Sequence, residues 1–141
     1  MSAASQASPL PNLRSSVSKT RLWVGRGVSA LVIVFCIFDG VTKVIKDPHV
    51  LSASSDLGYS VGSIVLIGAL MLLCTALYAI PRTEVFGAVL LTGYLGGAVA
   101  SNIRVGHPLF ECVFPVIFGI LAWGGIFLRE PRLRELIPLR K

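Results

Sequence analysis

Four long apolar runs dominate this chain, and they leave few folds open to it. They cover about Leu22–Ile45, Leu57–Ile80, Val85–Ile103 and Cys112–Leu128; the second has 24 residues without a charge, the third 19 and the fourth 17. The first carries Arg26 near one end and Asp39 and Lys43 near the other. A helix needs about 20 residues at ~1.5 Å each to cross a hydrocarbon core of about 30 Å, so the second run can tilt and the fourth barely reaches. Strands of a membrane barrel alternate polar and apolar residues over about 10 positions, which these unbroken runs do not do. The expected fold is therefore all-α, an integral membrane up-down four-helix bundle in a single domain. Charged residues make up only 14% of the 141, against about a quarter in soluble proteins, and the mean hydropathy is +0.78.

The connections set the order of the helices. Pro81–Glu84 spans four residues and Arg104–Glu111 eight, short enough to make spans two, three and four antiparallel neighbours. Lys46–Asp56, at eleven residues, is the longest connection and holds most of the loop freedom on its side. Arg14, Lys19, Arg21, Arg26, Arg82, Arg129, Arg132, Arg134, Arg140 and Lys141 fall on one side, against Lys43, Lys46 and Arg104 on the other. That bias predicts both termini in the cytoplasm. The net charge of +6 is thus a topology signal, with the lipid bilayer as the partner of these cations and no nucleic acid.

Residues 1–21, rich in Ser, Ala and Pro, read as a disordered cytoplasmic tail; their basic, acid-free composition also fits an organellar transit peptide. An early apolar stretch with a small-residue cleavage site is missing, so the first span reads as an uncleaved anchor. Residues 129–141 form a second basic tail. There Pro131 can start and Pro138 end a short interfacial helix, with Leu133, Leu136 and Ile137 on one side.

Small residues suggest which faces touch. Gly93 and Gly97, Gly96 and Ala100, and Gly97 and Ser101 are four apart on the third span, a pattern that lets helix backbones approach closely in lipid. Gly93, Gly96, Gly97 and Ala100 are accordingly expected to close the bundle. Gly87, Gly62, Gly68, Gly119, Gly124 and Gly125 add further small positions.

Polar residues at depth carry the functional signal. Asp39 lies six residues, roughly 9 Å, inside the end of the first span, where a lone carboxylate costs up to ~3 kcal/mol. Lys43, four residues on, can pair with it. Asn102, Arg104, His107 and Glu111 reach the same side from the third span, the third loop and the fourth span. The six form either an outward-facing polar binding site or a belt of ion pairs that fixes helix register. Pro108 argues against a shared helical face for His107 and Glu111, and no second His or Cys completes a metal set. Cys36, Cys74 and Cys112 form no CxxC; Cys36 and Cys112 could meet if spans one and four touch. No triad order, phosphate loop or paired-carboxylate device appears, so no catalytic residue is assigned.

Taken in order, several segments resemble the DoxX-like family. They are Asp39-Gly40-Val41-Thr42-Lys43, Ile80-Pro81-Arg82-Thr83, the run Gly87 to Ala100, and Arg104 with His107-Pro108. The likeness runs from about Arg26 to Leu136. It implies a small four-helix protein of the bacterial inner membrane. Relatives in the wider superfamily are associated with a thiosulfate:quinone oxidoreductase, with maturation of a periplasmic dehydrogenase and with membrane redox assemblies. Two functions follow from the resemblance and the charges together. One is an accessory or quinone-interacting subunit beside an oxidoreductase partner, with the polar cluster holding a head group. The other is a small-molecule carrier or permease, for which one four-helix unit without an inverted repeat would act as a homo-oligomer; a purely structural membrane protein is the third reading.

Overall fold

The computed structural model describes residues 17–136, and it contains six helices among them. These are α1 (Lys19–Val44), α2 (Pro48–Asp56), α3 (Val61–Ala79), α4 (Glu84–Val105), α5 (Leu109–Arg129) and α6 (Pro131–Leu136). α1, α3, α4 and α5 are each long and apolar enough to cross a membrane. The N-terminal tail up to residue 16, and Ile137, Pro138, Arg140 and Lys141 of the other tail, lie outside the described residues.

Helix α2 occupies the connection expected to be a loop. Its signal is in the sequence: Asp47 precedes Pro48, and the Asp47 carboxylate accepts from the backbone N–H of His49 (3.0 Å) and Val50 (3.4 Å). An N-cap acid followed by proline at the first helical position is a helix start. The end of α2 also moves the next span inward. Gly58 adopts a left-handed φ of 82°, the Tyr59 N–H reaches back to the Ser54 carbonyl, and α3 begins only at Val61, capped by the Ser60 hydroxyl. α1 instead starts at Lys19, three residues before the apolar run, because Lys and Arg extend a helix well and keep their charges at the interface.

α1 packs against α3 and α5, and α4 packs against α3 and α5; among the described residues the diagonal pairs make no close backbone approach. The four helices form a closed ring in sequential up-down order. Its core comprises Val32, Cys36, Met71, Cys74, Tyr78, Ala88, Leu91, Ala122 and Ile126. Outside lies a belt of exposed Leu31, Val34, Phe38, Leu66, Leu73, Val89 and Ile120, which suits a hydrocarbon solvent and would be anomalous in water. The cysteines are all free and buried, Cys36 and Cys112 included.

The glycines that close the bundle are not the expected Gly93, Gly96 and Gly97 but others, with Gly68, Gly87 and Gly125 of the further small positions among them. A methyl on Gly40 would fall 2.8 Å from Leu72, and one on Gly68 2.9 Å from the Gly40 carbonyl, so this pair seals α1 against α3. A methyl on Gly25 would fall 2.9 Å from the Gly125 carbonyl, so this pair seals α1 against α5, and one on Gly87 would overlap the Tyr78 backbone, so Gly87 seals α4 against α3. By contrast Gly93, Gly96 and Gly97 would gain a methyl with nothing within 4 Å, and all three, with Ala100, are exposed. Four-residue spacing identifies a smooth stripe; it does not say whether a helix or an open space faces it. Here the stripe borders open spaces.

α6 also divides its expected apolar side. Leu133 is buried against the bundle, Leu136 is exposed, and Arg134 donates to the carbonyls of Phe127 (2.8 Å) and Leu128 (2.7 Å), capping the end of α5.

Candidate functional site

Between the helices, at the end away from the termini, lies a cavity of about 650 Å³. Asp39, Lys43, Asn102, His107 and Glu111 all line it. Arg104 does not: its guanidinium donates to the Leu57 carbonyl at 2.5 Å and ties the end of α4 to the α2–α3 connection. Five of the six polar residues named from the sequence are therefore brought together, and the sixth is a brace.

The five stand in two groups. On α1, Lys43 pairs with Asp39 across one helical turn, both only partly exposed. At the α4–α5 turn the other three interlock. Gly106 takes a left-handed φ of 73°, with the His107 N–H bonded to the Asn102 carbonyl, and this helix-ending turn swings His107 over the start of α5. His107 and Glu111 thus pair at 2.6 Å although no helical face joins them, since Pro108 precedes the helix. Pro115 has no N–H to offer the Glu111 carbonyl one turn back, and the Asn102 side-chain amide donates to that carbonyl instead, at 3.0 Å. Asn102 Oδ1 is thereby turned to His107 Nδ1, 3.1 Å away. Nδ1 faces two oxygen acceptors, so it carries the proton, and Nε2 is the ring nitrogen left to a ligand.

Beneath this polar mouth the walls are aromatic. Phe35 stacks on Phe118 with ring centroids 4.1 Å apart and meets Phe114 edge-on at 5.5 Å; Tyr94 and Met71 complete the floor. The Tyr59 and Ser101 hydroxyls, 2.5 Å apart, belong to the mouth as well. Sequence reasoning passed over these residues. Phe110, Phe114 and Phe118 do recur at helical spacing, but nothing in a lone chain says that Phe35 of another span faces them. The exposed glycines have their place here too, because Gly93 and Gly97 line the cavity and leave it open.

The opposite end holds a second polar group that the sequence did not single out. Arg129 donates to Glu84 (3.0 Å) and to the Ser29 hydroxyl (3.1 Å). Ser29 in turn bonds the Tyr78 hydroxyl (3.0 Å), which donates to the Ala122 carbonyl (2.9 Å). This chain links all four spanning helices, and Tyr78 at its centre is 1% exposed. No buried side-chain polar atom among the described residues lacks a partner, so the group acts as a clasp.

Comparison with known proteins gives one assignment. The sequence profile of the DoxX-like family matches residues 27–125, which takes in the cavity from Asp39 to Glu111 and the floor to Phe118. No curated protein and no solved structure matches the chain significantly.

Proposed function

The chain belongs to the DoxX-like family, and from that premise we propose that it is an accessory subunit of a membrane redox system that binds a quinone head group in the cavity. The observation that carries this reading is the cavity's two-part lining, a polar mouth of Lys43, Tyr59, Asn102 and His107 over a floor of Phe35, Phe114 and Phe118. A quinone ring needs hydrogen-bond donors at its two carbonyl oxygens and flat apolar surfaces against its faces. The lining offers both, in a volume inside the ordinary range of about 300–1,000 Å³ for ligand sites. When bound, a quinone supplies a two-electron, two-proton acceptor; the electrons would come from an oxidoreductase partner. This chain's share is to orient the ring and, through the Glu111–His107 pair, to take up a proton at the lone pair of Nε2 and pass it on within the mouth. The charge bias supports an orientation with both termini in the cytoplasm and the cavity mouth on the outer face of a bacterial inner membrane.

The carrier reading has less support. Past the cavity floor, Val32, Cys74, Tyr78, Ala88, Leu91 and Ile126 are packed with at most 3% exposure, and the Glu84–Arg129 clasp lies beyond them. Such a plug suits a binding site with one entrance.

Titration of a chainless benzoquinone into the protein in lipid nanodiscs, followed by calorimetry, tests the reading. Saturable binding is expected, weakened about tenfold, or ~1.4 kcal/mol, by either Phe118→Ala or His107→Ala. Absence of saturable binding to the unaltered protein sinks it. Affinity purification from native membranes checks the partner: an oxidoreductase subunit should co-purify.

A further inference from the structure

We propose that the ligand is a membrane amphiphile whose polar ring occupies the cavity and whose single apolar chain leaves between α4 and α5 into a groove on the lipid-facing side. This rests on the head-group reading above and adds the ligand's class and its path.

The groove, about 600 Å³, lies between α4 and α5 and is lined by Gly96, Val99, Gly119, Ile120, Trp123 and Leu133 among others. Leu95 and Pro115 line both the groove and the cavity, so the two spaces stand back to back across a single layer of side chains. The groove's chemistry is that of a hydrocarbon site. Its hydroxyl, from Thr92, is already engaged, donating to the Ala88 carbonyl and accepting from the Trp123 indole N–H, each at 2.8 Å. No polar side chain among the described residues of the groove is therefore left to a ligand, and a polar molecule has nothing to hold.

This seam is also the one of the four that no glycine closes by backbone contact. α1 is sealed to α3 and to α5 by glycines in backbone contact, and α3 to α4 by Gly87. At the α4–α5 seam, a methyl on Gly96 would touch nothing within 4 Å, and one on Gly119 would meet only the Leu95 side chain, at 3.7 Å. From Pro115 to Phe127 the groove runs roughly 18 Å along α5 at ~1.5 Å per residue, room for one extended chain. Moving a chain from bilayer to groove gains little hydrophobic energy, so position, and not affinity, is the discriminating readout.

The test uses the full chain in nanodiscs and a benzoquinone whose alkyl chain carries a diazirine, with cross-links located by peptide mass spectrometry. Labelling of groove residues on α4 and α5 that excess chainless benzoquinone removes is the expected result. Gly119→Leu, whose side chain would fill the groove beside Leu95, should lose that label while chainless benzoquinone still binds. Competable label found on α1 or α3 overturns the chain path and leaves the head-group reading standing. Groove label that the chainless compound cannot remove means ordinary lipid contact and also overturns it. If the chainless compound does not bind at all, both readings fall.

Discussion

At the end that carries the termini, Glu84, Arg129, Ser29 and Tyr78 bond one another, and Gly25, Gly87 and Gly125 bring α1 onto α5 and α4 onto α3 in backbone contact. At the other end the Asp39–Lys43 pair and the Asn102–His107–Glu111 group stand apart around a cavity; Gly40 and Gly68 close the α1–α3 seam beside it, but Gly93 and Gly97 on α4 touch no neighbour. Each end holds ionic groups and glycines. What differs is whether a second helix backbone faces the α4 glycines: Tyr78 faces Gly87 at the clasp, and nothing faces Gly93 or Gly97 at the receptacle.

Substitutions can break or sharpen this contrast. The largest effect is expected at Gly87, where a methyl would overlap the Tyr78 backbone and neither helix can yield alone. Gly87→Ala should lower stability by about 3 kcal/mol, read from reversible unfolding in mixed micelles. Equal stability of variant and parent would mean that this end is not tightly closed.

Arg129→Met comes next. It strands the Glu84 carboxylate, 12% exposed, beside a buried hydroxyl network, and a loss of about 2 kcal/mol is expected because both partners keep some contact with solvent. The double variant with Glu84→Gln should recover part of that loss, since the uncompensated charge is then gone. A smaller cost, about 1 kcal/mol, is expected for Asp39→Asn, whose partner Lys43 has a flexible stem that can carry its amine toward the interface. If that variant cost more than Arg129→Met, the cavity end would be the structural one and the contrast would be reversed.

The last two changes should raise stability. Gly93→Ala adds a helix-favouring methyl into open space and is expected to contribute about 0.5 kcal/mol. Lys46 holds a left-handed φ of 60° at the end of α1, and Lys46→Gly should relieve about 0.5 kcal/mol of backbone strain. A loss at Gly93 would indicate that a second chain packs on the α4 stripe, which cross-linking in native membranes would then detect.

The spans were legible because about 20 consecutive apolar residues have one physical use in a bilayer, and the up-down order followed from short connections. Helix α2 was legible too, in the Asp47-Pro48 start, but an eleven-residue polar connection reads first as a loop. Less could be read of the site. Depth and side place Asp39, Lys43, Asn102, His107 and Glu111 together, because charge in a membrane is costly enough to be informative wherever it occurs. Arg104 shares their side and still bonds elsewhere, since its long side chain reaches a carbonyl near its own helix end before it reaches the cavity.

The sequence by itself determined a four-span membrane helix bundle and the end at which its polar residues gather. Both follow from the cost of exposing backbone and charge to hydrocarbon, which acts on each segment separately. Only the tertiary structure decided which glycines meet a backbone, that Ser29 and Tyr78 lie level with Glu84 and Arg129, and that Phe35 faces Phe118 under the polar mouth. Those are questions of rotation and register between helices. Lipid is as apolar as a leucine side chain, so the hydrophobic pattern of a spanning helix does not say which face turns inward, and packing settles it.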